Sequence, residues 1–177
     1  WRWLLLLDFA NLMMDVLLGY LALYFVDVVS TTGTQAGIAV TLWLALGMFT
    51  DFIFIPFIDK QPNSIKFLRR TAFFEIFAFS TFLLVPGFIP KLIAIVFVNI
   101  FNTGWYPVLQ GRLYSALPGQ SASIMAIGSV TAPLARLFPF LVGLLADQFG
   151  LGAAMWLLLA GPIALFIGFP RNLTRDT

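Results

Sequence analysis

Six long apolar runs, separated by short polar turns, dominate the pattern along this chain. Each run holds 19 to 24 residues, which at about 1.5 Å per residue is enough to cross a hydrocarbon core of about 30 Å. The runs cover residues 3–26, 37–58, 68–88, 92–113, 122–145 and 151–169. The pattern predicts an all-α membrane protein with six transmembrane helices. We expect one domain over residues 1–171 and a short cytoplasmic tail over residues 172–177.

The basic residues are distributed unequally between the two sides of the predicted bundle. If the six runs cross the membrane in turn, eight of the ten Lys and Arg residues lie on the side of the two termini. These are Arg2, Lys60, Lys66, Arg69, Arg70, Arg112, Arg171 and Arg175. Because basic residues accumulate on the cytoplasmic side of membrane proteins, both termini are predicted to be cytoplasmic. We expect an integral protein of a bacterial-type plasma membrane.

The composition excludes several classes of protein. With 60% apolar and 10% charged residues, the chain has too little polar surface for a soluble protein. It contains no cysteine and no histidine, so disulfides, thiolate chemistry and the commonest metal ligands are excluded. The net charge of +2 carries no nucleic-acid signal, and the lipid bilayer is the expected partner of the basic residues. We therefore expect no metal and no cofactor.

Catalysis is not expected either. Hydrolases and metalloproteases that depend on histidine are excluded because the chain has none. An intramembrane aspartyl protease needs two facing aspartates, but the sequence GMFTD around Asp51 differs from the Gly-Asp motif of those enzymes. We assign no catalytic residue and predict that the protein is not an enzyme.

Polar side chains within the apolar runs are the candidate functional residues, because a charge there costs about 2.5 to 3.5 kcal/mol on insertion scales. Asp8, Asn11 and Asp15 are spaced i, i+3 and i+7, so they form one polar stripe on the first predicted helix. The stripe either hydrogen-bonds to neighbouring helices or lines a cavity that binds a substrate or a proton.

Asp51 in the second run and Arg136 in the fifth are single charges in otherwise apolar helices. The rise along each helix places Asp15 and Arg136 within about 3 Å of each other along the membrane normal. We expect these two side chains to interact, because a charge at that depth is stable only when it is paired or protonated. A structural or gating salt bridge and direct contact with an anionic substrate both remain open.

The fourth run is the most polar and reads NIFNTGWYPVLQGR. Gly104 and Pro107 weaken the helix there. Its side chains that offer hydrogen-bond donors and acceptors are Asn99, Asn102, Tyr106 and Gln110. We expect a kinked helix that lines a cavity, with a purely structural kink as the alternative.

Glu75 lies inside the third run, about 15 Å from the cytoplasmic end by helical rise. We expect it to be protonated or to have a buried partner such as Arg112, rather than to contact a ligand.

The chain shows a weak internal symmetry. Gln35 precedes Asp51 by sixteen residues, and Gln120 precedes Arg136 by the same distance. Both stretches begin at a turn of small residues and enter an apolar run that contains Gly and Ala. Because the second and fifth runs cross in opposite directions, this pattern favours two inverted three-helix repeats, an arrangement common in secondary transporters.

The chain resembles the carboxy-terminal six-helix half of a major facilitator superfamily transporter. The resemblance extends from DFANLMMDVLLGYLALYF to GLLADQFGLGAAMWLLLAGPIAL and so covers nearly the whole chain. The cytoplasmic loop signature of that family, an acid followed by basic residues, is matched by Asp59, Lys60, Arg69 and Arg70. The segment GLLADQFG resembles one that many members carry between their last two helices.

The resemblance implies a secondary active transporter that moves a small solute by alternating access. In that family, the first, second, fourth and fifth helices of this half face the cavity, which favours the candidate residues as a substrate or ion pathway. The implied partner is a missing amino-terminal six-helix half, or a second copy of the chain. The chain begins with Trp rather than Met, so we expect a fragment or a trimmed product. A non-transporting structural or scaffold membrane subunit is the alternative.

The predicted topology is testable because the chain has no cysteine of its own. A cysteine placed in the loop over residues 59–66 is expected to resist a membrane-impermeant thiol reagent on intact cells. A cysteine placed in the turn over residues 31–35 is expected to react, because the charge asymmetry makes this turn external. Preferential labelling of the 59–66 loop from outside would contradict the predicted orientation.

Overall fold

The computed structural model describes residues 2–59, 64–116, 119 and 137–169, and all regular structure within these ranges is helical. The α-helices in chain order are α1 Arg2–Asn11, α2 Leu17–Asp27, α3 Gly33–Asp59, α4 Ser64–Leu84, α5 Phe88–Asn102, α6 Trp105–Ala116, α7 Leu137–Phe149, α8 Leu151–Ala154 and α9 Ala160–Gly168. A π-helix at Leu12–Val16 joins α1 to α2, and a 3₁₀-helix at Met155–Leu159 joins α8 to α9.

Within the described part of the chain, four helical stretches are long and apolar enough to cross a membrane. They are Trp3–Asp27, Gly33–Phe54, Phe88–Ser115 and Leu151–Gly168. The prediction of an all-helical fold is therefore confirmed within the described ranges, and these stretches agree with a membrane protein. Helix α4 is not among the four, because Lys66, Arg69, Arg70 and Glu75 interrupt its apolar residues. The arrangement of six spans in two inverted repeats remains a prediction.

The turn between α2 and α3 is fixed by local hydrogen bonds. Gln35 Oε1 accepts a hydrogen bond from the Thr32 backbone N–H at 3.1 Å, and Thr32 Oγ1 accepts one from the Gln35 backbone N–H at 3.3 Å. This reciprocal pair is a capping box, which satisfies backbone donors that the first turn of a helix leaves free. The small polar residues of this turn therefore define where α3 begins.

Two large apolar clusters hold the described helices together, and a minor one pairs Leu4 with Leu113. The larger of the two joins the π-helix and α2 to α5 with α7, α8 and the 3₁₀-helix, and its largest buried side chains include Tyr24, Phe25, Phe79 and Phe82. The smaller of the two joins α1, α4, α6 and α9 around Trp105. Helices α1 and α9 approach closely, because a Cβ atom at Gly161 would lie 2.9 Å from the Phe9 carbonyl oxygen. Small residues permit such close contact between membrane helices.

Lys91 is buried, which is unusual for a lysine unless its ammonium group has partners. Its Nζ donates hydrogen bonds to Tyr24 Oη at 2.8 Å and to the Phe82 and Leu83 carbonyl oxygens at 2.6 and 3.1 Å. These carbonyls belong to the last turn of α4, where a helix lacks internal donors and carries a partial negative charge. The ammonium group thus caps α4 and connects it to α2 and α5.

Glu75 is completely buried, and neither of its carboxyl oxygens has a hydrogen-bond partner among the described residues. The expected pairing with Arg112 is not formed. Arg112 is instead exposed near the end of α6, and its Nη2 donates a hydrogen bond to Ser64 Oγ, at the start of α4, at 3.2 Å. An unpartnered carboxyl group in a protein interior is destabilising, so this residue is an exception to the usual pattern.

Replacing Lys91 with methionine is expected to lower the free energy of unfolding by about 1 to 3 kcal/mol. The substitution keeps the side-chain length but removes the donor to two helix-end carbonyls and to a buried hydroxyl group. Thermal unfolding in mild detergent measures the effect. Lys66→Met is the matched control, because Lys66 is exposed. Equal stability of the two variants would contradict the capping role.

Candidate functional site

A cavity of about 190 Å³, with both polar and apolar lining residues, lies between the end of α1, the middle of α3 and the junction of α5 with α6. Its lining residues are Asn11, Met14, Trp43, Gly47, Thr50, Asp51, Asn99, Asn102, Thr103, Gly104, Tyr106 and Pro107. The cavity brings together five of the side chains that the sequence suggested for a pathway, and they come from three different apolar runs. These five are Asn11, Asp51, Asn99, Asn102 and Tyr106.

The cavity lies where the fourth apolar run is broken. Helix α5 ends at Asn102, Thr103 is extended with φ −55° and ψ 134°, and α6 begins at Trp105. Pro107 is the third residue of α6. It fits there because the first N–H groups of a helix have no internal acceptor, so the missing N–H of proline leaves no bond unmade. The sequence thus produces a complete break at Thr103 and Gly104 rather than a smooth bend.

Gly104 makes the break possible. Its φ of +82° lies in the left-handed region, which favours glycine. In addition, a Cβ atom at this position would overlap with Ile58 Cδ1. The backbone conformation therefore favours glycine at this position, and any larger residue would also displace the end of the Ile58 side chain.

Asn99 connects α5 to α3 beside the cavity. Its Nδ2 donates to the Trp43 carbonyl oxygen at 3.2 Å, and its Oδ1 lies 3.0 Å from Thr50 Oγ1. Thr50 also lies 2.8 Å from the Leu46 carbonyl oxygen, which can accept the same hydroxyl proton. The amide of Asn99 is therefore largely occupied by the protein, and it positions the wall of the cavity.

Asn102 differs from Asn99 because its side chain is unpartnered. It is only 4% exposed, yet neither its Nδ2 nor its Oδ1 has a hydrogen-bond partner within the described residues. Buried amides are nearly always hydrogen-bonded, because an unpaired donor or acceptor costs about 1 to 3 kcal/mol. Asn102 lines the cavity, so its unsatisfied amide lies beside the space that a bound molecule would fill.

The charge of the cavity is set by Asp51, which is half-buried in α3. The described lining contains this one carboxyl group and no basic side chain. Asn11 adds an amide from the last residue of α1, immediately before the π-helix at Leu12–Val16. π-Helical turns widen a helix locally and often occur at functional sites. The described wall therefore suits a neutral or cationic group better than an anion.

Three of the suggested pathway residues lie elsewhere. Asp8 is half-buried on α1, Asp15 is exposed within the π-helix, and Gln110 is half-buried on α6. None of the three lines the cavity. Arg136, its suggested contact with Asp15 and the stretch over residues 120–136 that suggested the second repeat lie outside the described residues.

The suggested loop motif is described only in part. Asp59 is the last residue of α3, and Lys60 lies outside the described residues. Arg69 and Arg70 lie in the second turn of α4, where they line a separate groove.

Sequence reasoning missed two important residues of the cavity wall. Trp43 supplies a backbone acceptor to Asn99, and Thr50 supplies a hydroxyl group to the same amide. Thr50 could have been found, because it directly precedes Asp51 within an apolar run. Trp43 carried no such signal, because its contribution to this hydrogen bond comes from the backbone.

Comparison of the chain with protein families, with curated proteins and with solved structures gives no match. The function of the cavity is therefore inferred from the residues that line it.

Replacing Gly104 with alanine is expected to destabilise the protein by about 1 to 3 kcal/mol, because the new methyl group imposes a strained backbone and overlaps with Ile58. Gly111→Ala is the matched control on the same run, since a Cβ atom there meets open space. Alanine inside a helix stabilises it by up to about 1 kcal/mol relative to glycine. Thermal unfolding in detergent compares the two variants, and a neutral Gly104→Ala would contradict the required break.

Proposed function

We propose that the chain is the carboxy-terminal six-helix half of a secondary transporter of the major facilitator superfamily type, and that it binds a small solute in the cavity described above. The observation that supports this proposal is the unpartnered amide of Asn102, buried at a helix break beside the cavity. A transported molecule would supply the missing hydrogen bonds while it is bound. It would then leave, so the site would hold no permanent ligand.

The placement of the polar groups supports a transport pathway. Polar side chains within apolar helices are expensive, and where they converge on a cavity they mark substrate or ion pathways. Secondary transporters typically build such sites from discontinuous helices, whose interrupted backbone lines the cavity. Here the interruption at Thr103 and Gly104 lies within Phe88–Ser115, a stretch apolar enough to span a membrane.

The lining favours a particular class of solute. A cavity of about 190 Å³ is smaller than the pockets of about 300 to 1,000 Å³ that hold drug-sized ligands. Asp51 favours a positive or neutral solute, and Trp43 and Tyr106 add aromatic surface that suits a cationic group. We therefore propose a small neutral or cationic solute. Direct contact with Arg136 would instead favour an anionic substrate.

A partner half completes the proposal. Asp15 is exposed on the π-helix within Trp3–Asp27, a stretch that is long and apolar enough to span a membrane. Contact between a carboxylate and lipid is costly, so the amino-terminal half, or a second copy, would cover this face. A scaffold subunit without transport is the alternative, in which water rather than a solute would complete the hydrogen bonds of Asn102.

Cysteine accessibility tests the proposal without knowledge of the solute. Asn102→Cys is expected to react with a small, impermeant thiol reagent from either side of the membrane, in intact cells and in inside-out vesicles. Alternating access predicts this double exposure, because the central site opens to each side in turn. A cationic reagent is expected to react several-fold faster than an anionic one, and Asp51→Asn is expected to remove that preference.

Two control positions make the result interpretable. Ala94→Cys lies in the apolar core away from the cavity and is expected to stay unreactive. Thr34→Cys lies at the exposed start of α3 and is expected to react from one side only. Labelling of Asn102→Cys from one side only would contradict alternating access and favour the scaffold subunit. No labelling from either side would contradict a solute-accessible cavity.

A further inference from the structure

A second cavity lies on the surface of α4, apart from the cavity beside Asn102, and the two share no lining residue. It is a groove of about 410 Å³ between α4 and α9. The residues that line it are Lys66, Arg69, Arg70, Phe73, Phe74 and Phe166. Three are basic and three are phenylalanines. This combination of charge and aromatic surface requires its own explanation.

The order of these residues along α4 divides the groove into two ends. The basic residues lie in its first two turns, and Phe73 and Phe74 follow one turn later. Their spacing of three or four residues keeps them on one face of the helix. From Lys66 to Phe74 the helix rises by about 12 Å. The groove therefore has a basic end near the start of α4 and an aromatic floor further along the helix.

The aromatic floor is an organised structure. Phe166 of α9 lies 5.7 Å from Phe73, measured between ring centroids, and Phe73 lies 5.8 Å from Phe74. The Arg69 guanidinium lies 5.2 Å from the centroid of the Phe166 ring. This cation–π contact limits the freedom of the arginine side chain and holds it above the floor. The basic end and the aromatic floor are thereby joined.

Both ends of the groove are accessible. Lys66 and Arg70 are exposed, and Phe73 and Phe74 are 42% and 51% exposed. Among the described residues, none forms an ion pair or a hydrogen bond with the side chain of Lys66 or of Arg70, and no acidic residue lines the groove. Three positive charges therefore lie together without a described counterion, next to apolar surface that water solvates poorly.

We infer that this groove binds an anionic phospholipid. Its phosphate would lie between Lys66, Arg69 and Arg70, and an acyl chain would cover the phenylalanine floor. Clusters of basic residues beside membrane helices attract anionic headgroups, and arginine forms strong, directional hydrogen bonds with phosphate. Helix α4 packs against α5 and α9, which belong to stretches apolar enough to span a membrane. That position brings the floor next to hydrocarbon.

A soluble phosphate compound is the competing source of the same headgroup chemistry. It would use only the basic end and leave the three phenylalanine rings without a ligand. The size of the aromatic floor therefore favours a lipid, and the two sources can be separated by experiment.

The test measures the purified chain in mild detergent, with binding followed by native mass spectrometry and by the midpoint of thermal unfolding. Phosphatidylglycerol is the probe, phosphatidylcholine is the neutral lipid, and glycerol 3-phosphate is the soluble headgroup. Phosphatidylglycerol is expected to bind and raise the midpoint, while the other two have little effect. Equal stabilisation by glycerol 3-phosphate, or by phosphatidylcholine, would overturn the proposal.

Variants locate the site. Arg70→Gln is expected to weaken phosphatidylglycerol binding about fivefold, and the combined replacement of Lys66, Arg69 and Arg70 by glutamine about a hundredfold. Phe74→Ala is expected to weaken lipid binding several-fold. Arg112→Gln is the matched control, because Arg112 is an exposed basic residue that lines a different cavity. If Arg112→Gln weakens binding as much as Arg70→Gln, the attraction is diffuse and the groove is not the site. Unchanged binding by Arg70→Gln would overturn the proposal even if the triple variant failed to fold.

Discussion

Hydrogen bonding of buried polar groups is the constraint on which this structure depends. Within apolar surroundings, an unpaired donor or acceptor is costly, so helices are favoured because they satisfy their own backbone. The side chains follow the same rule at several helix contacts. Lys91 caps the end of α4, Asn99 links α5 to α3, and Trp105 Nε1 donates to Thr71 Oγ1 at 2.9 Å. Each of these contacts fixes the position of one helix against another.

Two described side chains depart from this rule, and the difference between them is informative. Asn102 is unpartnered and borders a cavity, so a small rotation of its side chain would let a solute or water complete its hydrogen bonds. Glu75 is unpartnered, is completely buried and lines none of the cavities described above. The first arrangement suits a site that is alternately filled and emptied. The second places a carboxyl group in the core without a described partner. The packing around α4 must offset the free-energy cost of burying that group.

The proposed solute site and the proposed lipid site use different parts of α3 to α6 and α9. The solute cavity depends on the helix break at Gly104, and the lipid groove depends on the continuous face of α4. Trp105 joins the two regions, because it begins α6 beside the break and hydrogen-bonds to Thr71 of α4. A lipid on α4 would therefore bind close to the element that shapes the solute cavity.

The sequence by itself determined the helical class, the apolar stretches and most of the polar side chains, because length, hydropathy and residue type are local properties. It also predicted the weak point at Gly104 and Pro107. Only the tertiary structure decided which polar residues share a cavity, because this depends on the rotation of each helix about its axis. The π-helix at Leu12–Val16 changes that rotation, so Asn11 faces the cavity while Asp15 is exposed. The role of Lys91 as a buried cap was also decided by the tertiary structure, because its hydrogen-bond acceptors come from other helices.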